Sequence, residues 1–171
     1  NAAAKSAGAA DEMELPPGDF APAQKWAHAV YKLGAKGKLP PWEVSVGRFQ
    51  RGEHPEAIAM KQDSGKPVQT STILTHLFEA LLQGRPVSLS RMAAVAPPPR
   101  RAQWEQLDKA VAVDGIAVCG PDFKAKDLLR GVLGAKVDRE PVEKTESDRA
   151  EEAVWYSNIR WYRTLRCVEF P

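Results

Sequence analysis

Side chains suited to hydrogen-bonding another molecule cluster between positions 69 and 76. Amides, hydroxyls and an imidazole donate and accept hydrogen bonds, so this set fits base edges and phosphate oxygens better than covalent chemistry. No arginine is among them, although arginine is the side chain that most often reads guanine. The set consists of Gln69, Thr70, Ser71, Thr72, Thr75 and His76.

Basic residues that could contact phosphates flank this cluster in the sequence. Two lysines precede it and four arginines follow it, which predicts weak, salt-sensitive and mostly sequence-independent binding to nucleic acid, DNA or RNA. They are Lys61, Lys66, Arg85, Arg91, Arg100 and Arg101.

Residue types that support catalysis are present but not arranged for it. His28, His54 and His76 stand in different predicted elements, without the carboxylate or cysteine partner that a nucleophile requires. The sequence also carries neither a glycine-rich phosphate loop nor the ligand spacing of a zinc site. We therefore predict that the chain is not an enzyme and needs no metal or cofactor.

The polar cluster belongs to a predicted helix over 68–83. At 100° per residue its polar arc carries Thr72, Thr75 and His76, and we expect that arc to be uncovered. The opposite arc must be buried against other helices, because it consists of Ile73, Leu74, Leu77, Phe78, Ala80, Leu81 and Leu82.

Two shorter helices are predicted before this one. The first covers 42–50 with Val46 and Phe49 inward, and the second covers 55–61 and starts at Pro55. A turn containing Gly52 separates them. Helix, glycine-containing turn, short helix, loop and longer helix is the order of a helix-turn-helix unit.

A specific order of residue types runs through this region. It comprises Phe49, Gly52, Glu56, Ala57, Ile58, Ala59, Thr72, Ile73, His76, Leu77, Ala80, Gly84 and Val87, followed by a closing helix over 104–111. Over about 42–112 this pattern resembles the helix-turn-helix domain at the C-terminal ends of some RecQ-type helicases. The loop between Ala59 and Thr72 is longer than that family's usual turn. The resemblance implies a non-catalytic nucleic-acid-binding module, an accessory region of a helicase-like protein.

The whole chain is predicted to be all-α, a helical bundle that contains the helix-turn-helix unit. Further helices are expected over 20–38, 100–112, 121–134 and 150–168, with a short helical turn after Ser88 and a linker over 115–120. We divide the chain into a flexible arm (1–19), a helix-turn-helix-containing helical domain (20–112) and a C-terminal helical extension (113–171).

Two of these helices leave alternatives open. On 20–38, exposed lysines are either solvated or form a phosphate-contacting edge; they are Lys25, Lys32, Lys36 and Lys38. On 150–168, aromatic rings either pack on the preceding helices, stack on bases beside Arg160 and Arg163, or bind protein subunits of a larger assembly. The rings assigned to such subunits are Trp155, Trp161 and Tyr162.

Composition narrows the class of protein. A net charge of +2 does not by itself argue for nucleic acid. Cys119 and Cys167 match neither a zinc site nor a disulfide framework, so reduced thiols in an intracellular compartment are expected, organellar or nuclear. No apolar run reaches the ~20 residues of a membrane span. The first ten residues lack the arginine-rich amphipathic pattern of a transit peptide.

A second functional hypothesis is a structural adaptor subunit of a large assembly, such as an organellar ribosome or another ribonucleoprotein. Glu79 would repel phosphate from the predicted recognition helix, and the near-neutral net charge fits a protein-facing position. The two hypotheses differ in whether the isolated chain binds nucleic acid.

Overall fold

The computed structural model describes residues 11–171. Expectations about positions 1–10, as part of a flexible arm and as lacking a transit peptide, lie outside the described residues. Between Asp11 and Pro171 the chain forms seven α-helices and one two-stranded sheet, which confirms the all-α prediction. The helices are α1 (Pro41–Gln50), α2 (Pro55–Met60), α3 (Thr70–Leu82), α4 (Leu89–Ala93), α5 (Arg101–Asp114), α6 (Ala125–Leu133) and α7 (Glu146–Cys167).

The small sheet was not expected from the sequence. Its strands are β1 (Asp19–Phe20) and β2 (Val87–Ser88), paired antiparallel with Asp19 opposite Ser88 and Phe20 opposite Val87. Single turns of 3-10 helix cover Ala35–Gly37, Gly134–Asp138 and Pro141–Glu143. The segment 115–120 forms no strand, in agreement with its prediction as a linker.

The described chain divides into two compact units, and each is built from two separate stretches of sequence. We call residues 15–97 with 167–171 the α1–α4 unit, and residues 11–14 with 98–166 the α5–α7 unit. The division falls at 97/98, so α5 is grouped with α6 and α7 rather than with α1–α3.

In the α1–α4 unit, α3 packs against both α1 and α2. All seven residues of the predicted apolar arc of α3 are buried. The buried residues of α1 include Trp42, Val46 and Phe49, which recur at helical spacing, and those of α2 include Ile58 and Ala59. Pro41 and Pro55 occupy first turns, where a missing N–H costs no hydrogen bond. These three helices confirm the predicted order of elements.

The predicted helix over 20–38 is wrong. This segment is irregular apart from the 3-10 turn at Ala35–Gly37, and two residues expected to face inward, Val30 and Leu33, are 63% and 57% exposed. The backbone binds the end of α3 instead, because the Trp26 amide donates to the Leu82 carbonyl at 2.7 Å. That carbonyl has no partner within its own helix, so the segment caps α3.

The described part of the predicted flexible arm is attached to the rest of the chain at two points. The Asp11 carbonyl accepts from the amide of Arg101 at 2.9 Å, and the Asp11 carboxylate lies 3.4 Å from the amide of Ala102. These contacts satisfy N–H groups in the first turn of α5, within the α5–α7 unit. Further on, Asp19 belongs to β1.

The α5–α7 unit has its own core, formed where α5, α6 and α7 meet. Its buried members include Leu107, Ala110, Leu128, Leu129, Trp155, Ile159 and Tyr162. The Tyr162 hydroxyl donates to the Asp108 carboxylate at 2.7 Å, and Arg166 bonds the same oxygen. Burial, reinforced by this hydrogen bond, raises the pKa of Tyr162 to about 12.

Burial also bears on the three α7 rings that we assigned to protein partners. Trp155, Trp161 and Tyr162 are 8%, 0% and 2% exposed, so they offer no surface to another subunit or to a base. That expectation is corrected: the rings are internal, and Tyr162 meets the Trp104 ring edge-on with centroids 4.7 Å apart. Large apolar rings on the same arc as aliphatic residues were buried because their transfer from water is favourable.

Candidate nucleic-acid interface

The N-terminal end of α3 presents an uncovered polar edge. Gln69, Ser71 and Thr75 are exposed, while Thr70 and Thr72 are half-buried. The N-cap, Gln69, makes no side-chain bond to the helix backbone. The Thr75 hydroxyl donates to the Ser71 carbonyl one turn earlier, at 2.9 Å. A helix N-terminus with free amides and a partial positive charge favours an anion.

A nine-residue loop, residues 61–69, leads into this helix end. Lys61 and Lys66 on it are both exposed, and so is Asp63 between them. The Val68 amide donates to the Ala59 carbonyl at 3.0 Å, which attaches the end of the loop to the end of α2. Gly65, with φ of +71°, permits the turn in the middle of the loop. The two lysines therefore precede the polar edge on an anchored loop.

His76, the last residue of the predicted set, is a contact between helices. Its Nδ1 lies 2.8 Å from the hydroxyl oxygen of Ser45 on α1, and Ser45 is buried. Burial lowers the pKa of the His76 imidazole from its usual value, which favours the neutral ring. In this geometry His76 holds α1 and α3 together rather than facing a ligand.

The arginines that follow α3 are engaged inside the α1–α4 unit. Arg91 donates to the carbonyls of Phe49 and Glu53 at 2.6 and 3.0 Å, and its guanidinium lies 3.9 Å from the centre of the Phe49 ring. Arg85 forms an ion pair with Glu43 at 2.9 Å. Arg91 thus satisfies one carbonyl in the last turn of α1 and one in the turn that follows it, which is a structural role.

The last two arginines lie in the α5–α7 unit. Arg100 is the N-cap of α5, and Arg101 pairs with Glu105 one turn further along that helix at 3.2 Å. Both are exposed. Of the predicted site residues, seven lie on the N-terminal end of α3 and the loop before it: Lys61, Lys66, Gln69, Thr70, Ser71, Thr72 and Thr75. The other five, His76, Arg85, Arg91, Arg100 and Arg101, make the separate contacts described above.

The α5–α7 unit contains a half-open cavity of about 960 Å³ that the sequence did not indicate. It lies beside the segment joining α5 to α6, with Val113, Ile116 and Val132 among its apolar lining. Its charged lining has both signs, with Lys109, Lys124 and Arg130 beside Asp114, Asp122 and Asp127. Such a mixture selects no ligand class, so the cavity is not assigned a function.

Two further properties concern the described residues. Within 11–171, no group of three or more histidine, cysteine, aspartate or glutamate side chains is placed to hold a metal ion. In that same range, no helix combines the length and apolarity needed to span a bilayer.

Comparison with known proteins found no relative of this chain. No family model matches the sequence, and neither a curated protein nor a solved structure matches the chain. The resemblance of 42–112 to the RecQ-type helix-turn-helix domain therefore remains an expectation carried by its own residues.

Proposed function

We propose that the α1–α4 unit is a non-catalytic module that binds nucleic acid through the N-terminal end of α3. One observation carries the proposal: α3 buries its whole apolar arc against α1 and α2 yet leaves Gln69, Ser71 and Thr75 exposed. Three helices in this order, with the third presenting its N-terminal residues, is how helix-turn-helix proteins meet a groove.

Charge limits how strong this binding is. With Arg91 engaged internally and Arg85 paired with Glu43, the cations beside the helix end are Lys61 and Lys66. Two phosphate contacts give a slope of about −1.8 in log affinity against log salt, which is about tenfold between about 50 and 200 mM salt. Recognition of sequence is expected to be weak, because the exposed groups are hydroxyls and amides.

The test is fluorescence anisotropy of labelled duplex DNA and duplex RNA with the full chain. The double substitution Lys61→Ala/Lys66→Ala is expected to weaken duplex binding about tenfold at low salt and to remove most of its salt dependence. Lys109→Ala/Lys124→Ala is the matched control, since both lysines are exposed on the α5–α7 unit. Duplex affinity that is unchanged by salt, or equal in the two variants, would contradict the proposal.

A structural subunit of a large assembly is the second candidate function. The specific observation in its favour is apolar surface on the α1–α4 unit, where Val30, Leu33 and Leu39 are more than half exposed. A chain that binds neither duplex nor single-stranded nucleic acid at about 50 mM salt would favour this candidate over a nucleic-acid-binding module.

A further inference from the structure

The segment 25–39 is the most basic part of the molecule. From position 20 to position 42 the sequence has four lysines and neither aspartate nor glutamate. In the rest of the chain, twenty basic residues are outnumbered by twenty-two acidic ones. The stretch 80–104 also has four basic residues and no acidic ones, but three of its arginines are engaged: Arg85 and Arg101 form ion pairs, and Arg91 bonds backbone carbonyls. In 25–39 the four lysines, Lys25, Lys32, Lys36 and Lys38, are all exposed.

A tight turn fixes the tip of this segment. The Gly34 amide donates to the Lys38 carbonyl at 2.7 Å, and the Gly37 amide donates to the Gly34 carbonyl at 3.2 Å. Lys36 at the tip has φ of 58° and ψ of 30°, a left-handed conformation that is costly for a residue with a side chain. The turn brings Lys36 and Lys38 into one short loop of held shape.

The first residues of the segment are anchored to the C-terminal end of α3. Besides the Trp26 amide bound to the Leu82 carbonyl, the Gln83 side chain donates to the Val30 carbonyl at 3.1 Å. At Gly84 a Cβ would lie 3.2 Å from the backbone nitrogen of Lys25, and φ there is +78°. A glycine is needed at this point for the segment to approach so closely.

Apolar and aromatic surface lies between the lysines. Val30, Leu33 and Leu39 are 63%, 57% and 55% exposed. The His28 ring is exposed and meets the Trp26 ring edge-on, with centroids 5.3 Å apart. Aliphatic and aromatic side chains alternating with cations suit a strand whose bases are unpaired, because the bases present flat apolar faces and the phosphates present charge.

We propose that segment 25–39 binds single-stranded nucleic acid, with Lys32, Lys36 and Lys38 on phosphates and Val30, Leu33 and His28 against unpaired bases. A duplex fits less well, since its stacked bases give the exposed aliphatic residues nothing to cover. An acidic protein surface also fits less well, because lysine is depleted at protein interfaces and all four cations are lysines. This site is separate from the one proposed at the N-terminal end of α3 and does not depend on it.

The experiment measures binding of the full chain to a labelled oligouridine of about 15 nucleotides, by anisotropy at about 50 and 200 mM salt. Lys32→Ala/Lys36→Ala is expected to weaken strand binding about tenfold and to reduce the salt slope by about 1.4, at about 0.7 for each phosphate of a single strand. Val30→Ser/Leu33→Ser is expected to weaken it about fivefold with the salt slope unchanged, because the bases then cover less apolar area. Lys109→Ala/Lys124→Ala should bind like the wild type.

The outcomes distinguish the two proposed sites. If Lys61→Ala/Lys66→Ala loses duplex binding but keeps strand binding, this site is separate from the one at the N-terminal end of α3. Strand affinity unaltered in Lys32→Ala/Lys36→Ala, or unaltered in Val30→Ser/Leu33→Ser, would overturn the proposal. So would a lack of strand binding at low salt, which would leave an acidic protein surface as the occupant of the segment. Circular dichroism of each variant checks that the helices are intact.

Discussion

His76 joins two helices at a position where the sequence pattern also allowed contact with a ligand. Its ring nitrogen and the Ser45 hydroxyl oxygen are 2.8 Å apart, in a half-buried environment that disfavours an imidazolium. Burial makes it unfavourable for this ring to take up a proton. The stability of the α1–α4 unit is therefore expected to depend on the protonation state of His76.

We predict that the α1–α4 unit loses stability on mild acidification because of His76. Burial lowers the folded-state pKa of the ring, so the unfolded chain binds more protons below the ordinary histidine pKa of about 6.5. The stabilising contribution is present above that pKa and is lost as the pH falls through the lower, folded-state value. Urea unfolding at about pH 7.5 and about pH 5.5 measures the effect.

Two histidine variants isolate the contribution. His76→Gln is expected to show a flatter dependence of the unfolding free energy on pH, whereas His28→Gln, at an exposed position, should behave like the wild type. Identical pH dependence in the two variants would show that another group is responsible.

Two glycines inside helices test how closely the elements approach one another. At Gly47 in α1 an added Cβ meets only the flexible end of Arg51, at 3.6 Å. At Gly131 in α6 it would lie 2.9 Å from the Cβ of Ala110 on α5, which is attached directly to backbone. The Asp114 carboxylate, at 2.7 Å, can rotate away, but Ala110 cannot.

Substitution by alanine should therefore change stability in opposite directions at these two positions. Gly47→Ala is expected to raise the unfolding free energy by up to about 1 kcal/mol, through helix propensity alone. At Gly131 the same gain is outweighed by overpacking, so Gly131→Ala should lower it by about 1 kcal/mol net. Denaturant titration of both variants measures the difference, and a stabilised Gly131→Ala would mean that α5 and α6 separate at no cost.

At the scale of elements, the helical spacing of apolar residues predicted those helices that form by burying an apolar face. The seven apolar residues of α3 required a covered face, and α1, α2, α5, α6 and α7 followed from the same rule. Positions 20–38 show where that rule fails. Trp26, Ala29, Val30 and Leu33 recur at helical spacing, yet the amide of Trp26 bonds to the end of α3 instead of to its own segment. A capping contact between residues more than fifty positions apart leaves no local signal.

The exposure of the candidate site residues was predictable only in part. The polar arc was predicted to leave Thr72, Thr75 and His76 uncovered, but only Thr75 is exposed and the other two are half-buried. The arc gives the direction of a side chain but not what packs beside it, such as Ser45 of α1 against His76. The internal role of Arg91 could not be predicted, because the sequence alone does not distinguish an arginine that binds backbone carbonyls from one that binds phosphate.

At the scale of the whole molecule, the end of the chain contributes to the α1–α4 unit. The Phe170 ring meets the Phe20 ring of β1 edge-on, with centroids 5.1 Å apart. Val168 is also buried. Residues far apart in sequence therefore hold the two-residue strand that pairs with β2.

Loss of the Phe170 ring should weaken that strand. Phe170→Ala is expected to cost about 1 kcal/mol, from the aromatic pair and the apolar area it buries. Hydrogen exchange at the amides of β1 and β2 should become faster, while exchange in α5 and α6 stays as in the wild type. Tyr156→Ala, at an exposed position of α7, is the control. Unchanged exchange in β1 would show that the ring pair does not hold the strand.

The interleaved course of the chain has a practical consequence for cutting it into parts. A recombinant piece covering 15–97 would lack Phe170, and one covering 98–166 would lack the Asp11 groups that accept the first amides of α5. Cutting the protein at its proline-rich 97/98 junction would thus yield two pieces, each without contacts that stabilise one of its elements. Separately expressed pieces need their distant partner residues restored, for example by fusing 167–171 to the first piece through a short linker.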